Sequence, residues 1–189
     1  MSEATGSPDA TASPDATGSP VDRCVAFEEI RQLAARYALA IDQRDLDTLV
    51  DLFVPDVRVG SDRTGHDALR AEFTTSLRAI GVSILQVGTH VIDLVDHDAA
   101  TGIVYCTAEI QDGERWIRQA IAYDDTYRRV NGSWRFVRRI HRLFYGINTA
   151  TRPLDQGPAN WPEHPDGVGT LPEAWPTWRA FWGEAHPLD

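Results

Sequence analysis

The 189-residue chain is long enough for one domain with a buried core, and its formal charge of −10 argues against nucleic acid and anionic membranes as partners. All 18 basic residues are arginines, which excludes lysine chemistry such as Schiff-base catalysis or a Walker phosphate loop. The two cysteines, Cys24 and Cys106, have no metal-binding spacing and predict a reduced, cytoplasmic protein. No apolar run approaches the length of a membrane-spanning helix, so no membrane partner is predicted.

The first 22 residues are rich in Ser, Pro, Asp, Ala, Thr and Gly, and they contain an imperfect repeat of the unit GSPDATAS. They lack the basic and apolar regions of a signal peptide, and they cannot bury enough apolar surface to offset the entropy of ordering. The chain is therefore predicted to have three parts. These are a disordered tail over residues 1–22, a folded domain over 23–148 and a Pro/Trp-rich C-terminal strap over 149–189.

Helical periodicity dominates the first part of the folded domain. Apolar residues recur there at three- and four-residue steps, which is the pattern of a helix with one buried face. A single short strand candidate interrupts this pattern. The predicted elements are helices over residues 25–41, 46–53 and 65–77, with a strand over 57–59.

Strand-like segments follow, over residues 84–95, 103–110, 115–130 and 133–144. Asn131 and Gly132 predict a two-residue type I′ hairpin turn, which fixes the register of the last two strands. This register puts Tyr123 and Arg142 on a mostly apolar face and leaves a polar face on the other side. The predicted pairs are Tyr127–Phe136, Tyr123–Ile140, Asp124–Arg139 and Asp125–Arg138, and the polar face carries Arg118, Arg135, Arg139 and His141.

Tyr37 and Asp42 lie near the end of the first predicted helix. A phenol and a carboxylate at the rim of a core are costly to desolvate unless they are partnered, and a pocket for acid–base chemistry requires such groups. The same pattern also fits a tyrosine that packs in the core and an aspartate that only ends the helix.

Five stretches of the chain resemble the SnoaL-like branch of the NTF2-like superfamily, over roughly residues 26–148. The resemblance implies an α+β cone in which three N-terminal helices pack on a curved antiparallel sheet around an apolar cavity. It also implies a homodimer or homo-oligomer through the polar sheet face. Members include dehydratases, dehydrochlorinases, polyketide cyclases, isomerases and binding modules. The stretches are YALAIDQRD (37–45), GTHVIDL (88–94), ATGIVY (100–105), YDDTYRRVNGSW (123–134) and FYG (144–146).

The dehydratase-like members imply a catalytic arrangement for this chain. Asp42 would orient and charge a histidine that takes a proton from the substrate, while Tyr37 helps the leaving oxygen depart. Gln86 stands where the family histidine normally lies, and His90 follows four residues later, on the same strand face by alternation. His90 therefore either enters the cavity further along the strand or has a structural role.

Three residues are candidates for substrate binding. Gln86 cannot be a base but can hold a carbonyl group or a water. Arg142, beside Tyr123, either anchors an anionic or carbonyl group of a ligand or bridges to Asp125. No HExxH, phosphate-loop or dinucleotide motif occurs in the sequence, so no metal or cofactor is predicted.

The leading hypothesis is a cofactor-independent lyase (dehydratase) or isomerase. Its substrate would be a small hydrophobic hydroxylated molecule, such as a steroid, a polyketide or an aromatic metabolite. The alternatives are a non-catalytic small-molecule-binding module and an accessory subunit. The discriminating observation is whether Tyr37, Asp42, Gln86 and His90 converge on one cavity.

The C-terminal strap combines proline with tryptophan, which predicts an ordered segment laid over the cone rather than a free tail. Trp161 and one or more of Trp175, Trp178 and Trp182 are expected to pack on the cone or on a neighbouring subunit, and the strap is expected to exclude water from the cavity. A short helix is predicted over residues 173–184.

Overall fold

A computed structural model of the protein describes residues 17–160 and 162–183. The sheet is antiparallel with strand order β3-β4-β5-β6, and β1 pairs with β2 separately. Together with the helices on one side, it forms the predicted α+β cone. Within the described residues, no helix combines the length and the apolar character needed to cross a membrane. The elements are α1 (Pro20–Gln43), α2 (Leu46–Asp51), β1 (Arg58–Val59), β2 (Arg63–Thr64), α3 (His66–Arg78), β3 (Ser83–Leu94), β4 (Ala99–Asp112), β5 (Arg115–Val130), β6 (Ser133–Asn148) and α4 (Pro176–Trp182).

Helix α1 begins five residues before its predicted start. The Ser19 side chain accepts a hydrogen bond from the Asp22 N–H at 3.2 Å, and the Asp22 carboxylate accepts one from the Ser19 N–H at 3.0 Å. This reciprocal capping, with Pro20 at the first helical position, is a strong helix start. The predicted tail over residues 1–22 is therefore too long at its end, and residues 1–16 lie outside the described part.

The turn between β5 and β6 confirms the hairpin prediction. Asn131 and Gly132 both have positive φ, 51° and 81°, as a type I′ turn requires. Tyr127 pairs with Phe136 as predicted, but a β-bulge then leaves Val137 without a partner. One extra residue on a strand moves the side chains that follow it, as far as the next irregularity, to the opposite face. Three predicted pairs are wrong for this reason, and the observed ones are Tyr123–His141, Asp124–Ile140 and Asp125–Arg139.

A bulge also interrupts β3. Val87 pairs with Cys106 and His90 pairs with Val104, so one extra residue is accommodated on β3 between these pairs. Before the bulge Val87 packs on the core, whereas after it the inward positions are His90 and Ile92. The predicted common face of Gln86 and His90 is therefore wrong, because Gln86 is exposed and His90 is half-buried.

Helix α4 covers one end of the core. Trp178 is fully buried and Trp182 is nearly so, in a cluster that includes Leu49, Leu77 and Trp116. The packing of the C-terminal tryptophans on the cone is thus confirmed for these two side chains. Trp161 lies outside the described residues.

The outer face of the sheet carries large exposed apolar side chains beside the charged residues predicted there. The bulge on β6 turns Arg139 inward, and Arg118 and Arg135 pair with Glu109 and Asp51. The rings of Tyr105 and Phe144 meet at 5.4 Å between centroids. Large apolar side chains remain exposed on alternating strand positions, namely Ile84, Val91, Ile103, Tyr105 and Phe144.

Candidate functional site

Asp42 is held at the junction between α1 and β3. It is only 8% exposed, and its carboxylate accepts hydrogen bonds from the Ser83 hydroxyl at 3.1 Å and the Leu85 N–H at 2.9 Å. The carboxylate therefore ties the end of the helix to the start of the strand. Burial raises the pKa of Asp42 to about 6, against the opposing effects of these two hydrogen bonds and of Arg44.

Arg44 is the cation beside this carboxylate. It is 2% exposed, and its guanidinium donates to the Ser83 hydroxyl at 2.8 Å and to the carbonyls of Ile41 and Gly81. Its Cζ lies 4.8 Å from the Trp178 ring centroid. Burial lowers the pKa of Arg44 to about 10, so the group remains charged at neutral pH. Asp42 and Arg44 are thus linked through Ser83 and sealed by α4.

A second pair of charges lies deeper inside the cone. Arg139 donates through Nε and Nη2 to the two carboxylate oxygens of Asp125, at 2.9 and 2.6 Å. The side chains are 4% and 0% exposed. The Tyr127 hydroxyl donates to the same carboxylate at 2.8 Å. Asp125 therefore has the donors that a buried carboxylate needs.

Three aromatic rings surround the Arg139 guanidinium. Its Cζ lies 4.3, 4.4 and 4.3 Å from the ring centroids of Tyr37, Tyr123 and Phe136, within the range of cation–π attraction. Burial raises the pKa of Tyr37 and of Tyr123, so both phenols stay protonated. Within the described residues neither hydroxyl has a hydrogen-bond partner.

His90 joins this cluster through Tyr127. Its Nε2 lies 3.1 Å from the Tyr127 hydroxyl. Because Tyr127 gives its single proton to Asp125, Nε2 carries a proton and donates to the Tyr127 oxygen. Burial lowers the pKa of His90 to about 4, so the imidazole is neutral at neutral pH.

The implied pairing of Asp42 with His90 is not formed. Asp42 contacts Leu85, and His90 lies five residues further along the same strand, roughly 16 Å away at 3.3 Å per residue. Burial raises the pKa of the Cys106 thiol to about 11, and the smaller effect of Asp42 adds to this shift while that of Arg139 opposes it.

The structure therefore gathers some of the predicted site residues and separates others. Tyr37 and Tyr123 meet at Arg139, and His90 reaches the same ion pair through Tyr127. Gln86 is exposed, so the four proposed side chains do not converge. The predicted position of Arg142 is also wrong, since the bulge on β6 places it in an ion pair with Asp124 and leaves most of its side chain exposed.

A pocket of about 200 Å³ opens between α1, α3 and the bulge of β6. It adjoins a wider groove of about 830 Å³ that runs past His141 and shares Arg58, Val137, Arg138 and Arg139 with it. Asp42 lines neither space. Among the described residues, no three His, Cys, Asp or Glu side chains are grouped as a metal site. The inner wall is formed by Tyr37, Phe53, Leu69, Phe73, Val137 and Arg139.

The central ion pair of Asp125 and Arg139 was not predicted from the sequence. Strand alternation from Tyr123 to Tyr127 places Asp125 on the same face as both tyrosines, so its inward orientation could have been predicted. Arg139 was assigned to the outer face because the bulge at Val137 has no signature in the residues themselves.

A family model described as SnoaL-like domain matches residues 23–140. No curated protein sequence matches the chain significantly.

Solved structures of similar fold are numerous. A candidate scytalone dehydratase from Novosphingobium aromaticivorans superposes with a TM-score of 0.62 and 20% identity, over 71% of this chain and 94% of that one. Hexachlorocyclohexane dehydrochlorinase LinA-type3 from Novosphingobium barchaimii gives 0.62 and 22%, over 70% and 95%. A protein of unknown function from Mycobacterium tuberculosis gives 0.58 and 24%, over 66% and 76%. At these identities the likeness concerns the fold alone.

Removing one partner of the inner ion pair should destabilise the protein strongly. Arg139→Met leaves the Asp125 carboxylate buried and uncompensated, which typically costs about 3–5 kcal/mol of unfolding free energy. Arg142→Met, which breaks the exposed pair with Asp124, is the matched control and should cost less than about 1 kcal/mol. Urea denaturation measures both. The double variant Asp125→Leu/Arg139→Met should lose less than Arg139→Met alone, and equal small losses for all three would contradict a buried ion pair.

Asp42 should lower the stability of the protein as the pH rises from about 4 to about 6. Its pKa rises from 3.8 to about 6 on folding, so in this window the folded state keeps a proton that the unfolded state has released. The contribution of the protonated Asp42 to the unfolding free energy is fully present below pH 4 and is lost as the pH passes 6. For a shift of about two pKa units, this contribution is roughly 3 kcal/mol. The difference in unfolding free energy between the native protein and Asp42→Asn should follow this curve, and a difference independent of pH would contradict it.

Proposed function

The chain belongs to the SnoaL-like domain family of the NTF2-like superfamily, and from this premise we propose that it binds a small, largely hydrophobic molecule between α1, α3 and β6. The observation that carries this proposal is the pocket lined by the rings of Tyr37, Phe53 and Phe73 and by the buried Arg139. Mostly apolar pockets with a few convergent polar groups are the usual form of a small-molecule site.

The polar groups at this wall favour a ligand with a hydroxyl or carbonyl oxygen. The Tyr37 hydroxyl has no protein partner within the described residues, and Arg139 lies 4.3 Å from its ring centroid. A protonated phenol beside a fixed cation is suited to donate a hydrogen bond to such an oxygen. The proposed site is compatible with the hydroxylated steroid, polyketide or aromatic compounds expected from the sequence.

A second candidate function is cofactor-independent lyase or isomerase chemistry on the same ligand. The observation that favours it is the pKa of Asp42, about 6, which is close to the value that suits a general base at neutral pH. Asp42 rather than His90 would take the proton, and Tyr37 would supply the acid. This function requires the substrate to reach beyond Tyr37, because Asp42 does not line the pocket.

A substitution that fills the pocket should distinguish binding in the pocket from non-specific association with the protein surface. In a native mass spectrometry screen of steroid, polyketide and aromatic compounds, bound compounds should lose at least tenfold in affinity with Val137→Trp, whose indole would occupy the pocket. Val91→Trp, on the exposed outer face, should bind them as the native protein does. Equal binding by both variants would contradict the pocket.

The bound compounds also distinguish the two functions. If the chain is an acid–base enzyme, a ligand incubated with it in D2O gains deuterium at carbon, and Asp42→Asn stops this exchange without stopping binding. If binding is seen without exchange or turnover, the chain is a binding module.

We also propose that the chain forms a homodimer or homo-oligomer through the exposed apolar side chains of the outer face. Contiguous exposed apolar surface on a sheet is typical of an interaction site. Tyr105→Arg should shift the mass in light scattering at micromolar concentration towards the monomer, whereas Leu39→Arg, at a similarly exposed position on α1, should leave it unchanged. A monomeric native protein would contradict the proposal.

A further inference from the structure

The entrance to the pocket carries positive charge that the protein does not neutralise. Arg58 and Arg138 line both the pocket and the adjoining groove, and both are exposed. Arg58 donates to the Ser61 carbonyl at 3.3 Å. In the part of the chain that the structure describes, neither guanidinium forms an ion pair with a carboxylate.

This charge is not a consequence of composition, because acidic residues outnumber arginines by 28 to 18. Asp56 also lines the groove, but its carboxylate is bound by Arg128 of β5. Arg139, at the inner end, is neutralised by Asp125. Two cations therefore remain together where a ligand would enter. Elsewhere many arginines have carboxylate partners, as in Arg63–Glu72, Arg70–Asp47, Arg118–Glu109, Arg135–Asp51 and Arg152–Glu114.

We propose that the ligand of this pocket is a small aromatic monocarboxylate, with its ring inside and its carboxylate at the entrance between Arg58 and Arg138. This inference rests on the proposed function, since it names the class of molecule that the same pocket takes. Guanidinium groups bind carboxylates through paired, charge-assisted hydrogen bonds. The rings of Tyr37, Phe53 and Phe73, which already meet edge to face and tilted at 6.0–6.4 Å, provide the aromatic contacts for the ligand ring.

Calorimetry with 2-naphthoate and its neutral isostere 2-naphthamide tests the inference. The native protein should bind the carboxylate at least tenfold more tightly than the amide, and this preference should weaken as salt screens the charges. Arg58→Gln/Arg138→Gln should remove the preference while leaving the affinity for the amide within about twofold. Arg36→Gln, an exposed arginine on α1 outside the groove, is the matched control and should change neither affinity. Circular dichroism establishes that each variant is folded.

The outcomes separate this inference from the function on which it rests. Equal affinity of the native protein for both probes, with Val137→Trp weakening both, overturns the carboxylate preference and retains the pocket. A preference that survives in Arg58→Gln/Arg138→Gln also overturns it, because the anion is then held elsewhere. Failure of both probes and of the wider compound screen to bind overturns both proposals.

Discussion

The ion pair between Asp125 and Arg139 is the interaction on which the interior of the cone depends. Taking two charges out of water costs several kcal/mol for each ion unless the geometry and the remaining hydrogen bonds compensate. Here the carboxylate receives two bonds from one guanidinium and one from Tyr127, while three rings cover the cation. The pair joins β5 to β6, and through Tyr37 it fixes the side of α1 that faces the sheet.

Two charged centres with different surroundings share this interior. The inner one, Asp125 with Arg139, is closed by hydrogen bonds and rings and has little freedom to exchange protons. The other, Asp42 with Arg44, lies where a helix meets a strand beneath Trp178, and burial raises the pKa of its carboxyl group to about 6. The neutral His90 belongs to the first centre. The histidine–carboxylate pair implied by the family resemblance is therefore replaced by two separate arrangements.

The backbone course of this chain could be predicted largely from its sequence. Residues with helical spacing, such as Ile30 and Leu33, are buried on α1, and Asn131–Gly132 forms the expected turn because both residues tolerate positive φ. The site was harder to predict, because the face of the sheet on which a side chain lies is decided by counting residues along the strand. An extra residue in β3 separates Gln86 from His90, and another in β6 moves Arg139 inside. Bulges of this kind depend on how the sheet curves around its core, which the local pattern does not record.

The bulge at Val137 is a point where β6 can change in length without changing its interior. Phe136 pairs with Tyr127 and Arg138 pairs with Thr126, so Val137 has no partner of its own. Loss of the Val137 codon would restore plain alternation from Phe136 onward and leave Arg139 inside, opposite Asp125. An in-frame deletion at this point would therefore shorten the strand and keep the buried ion pair.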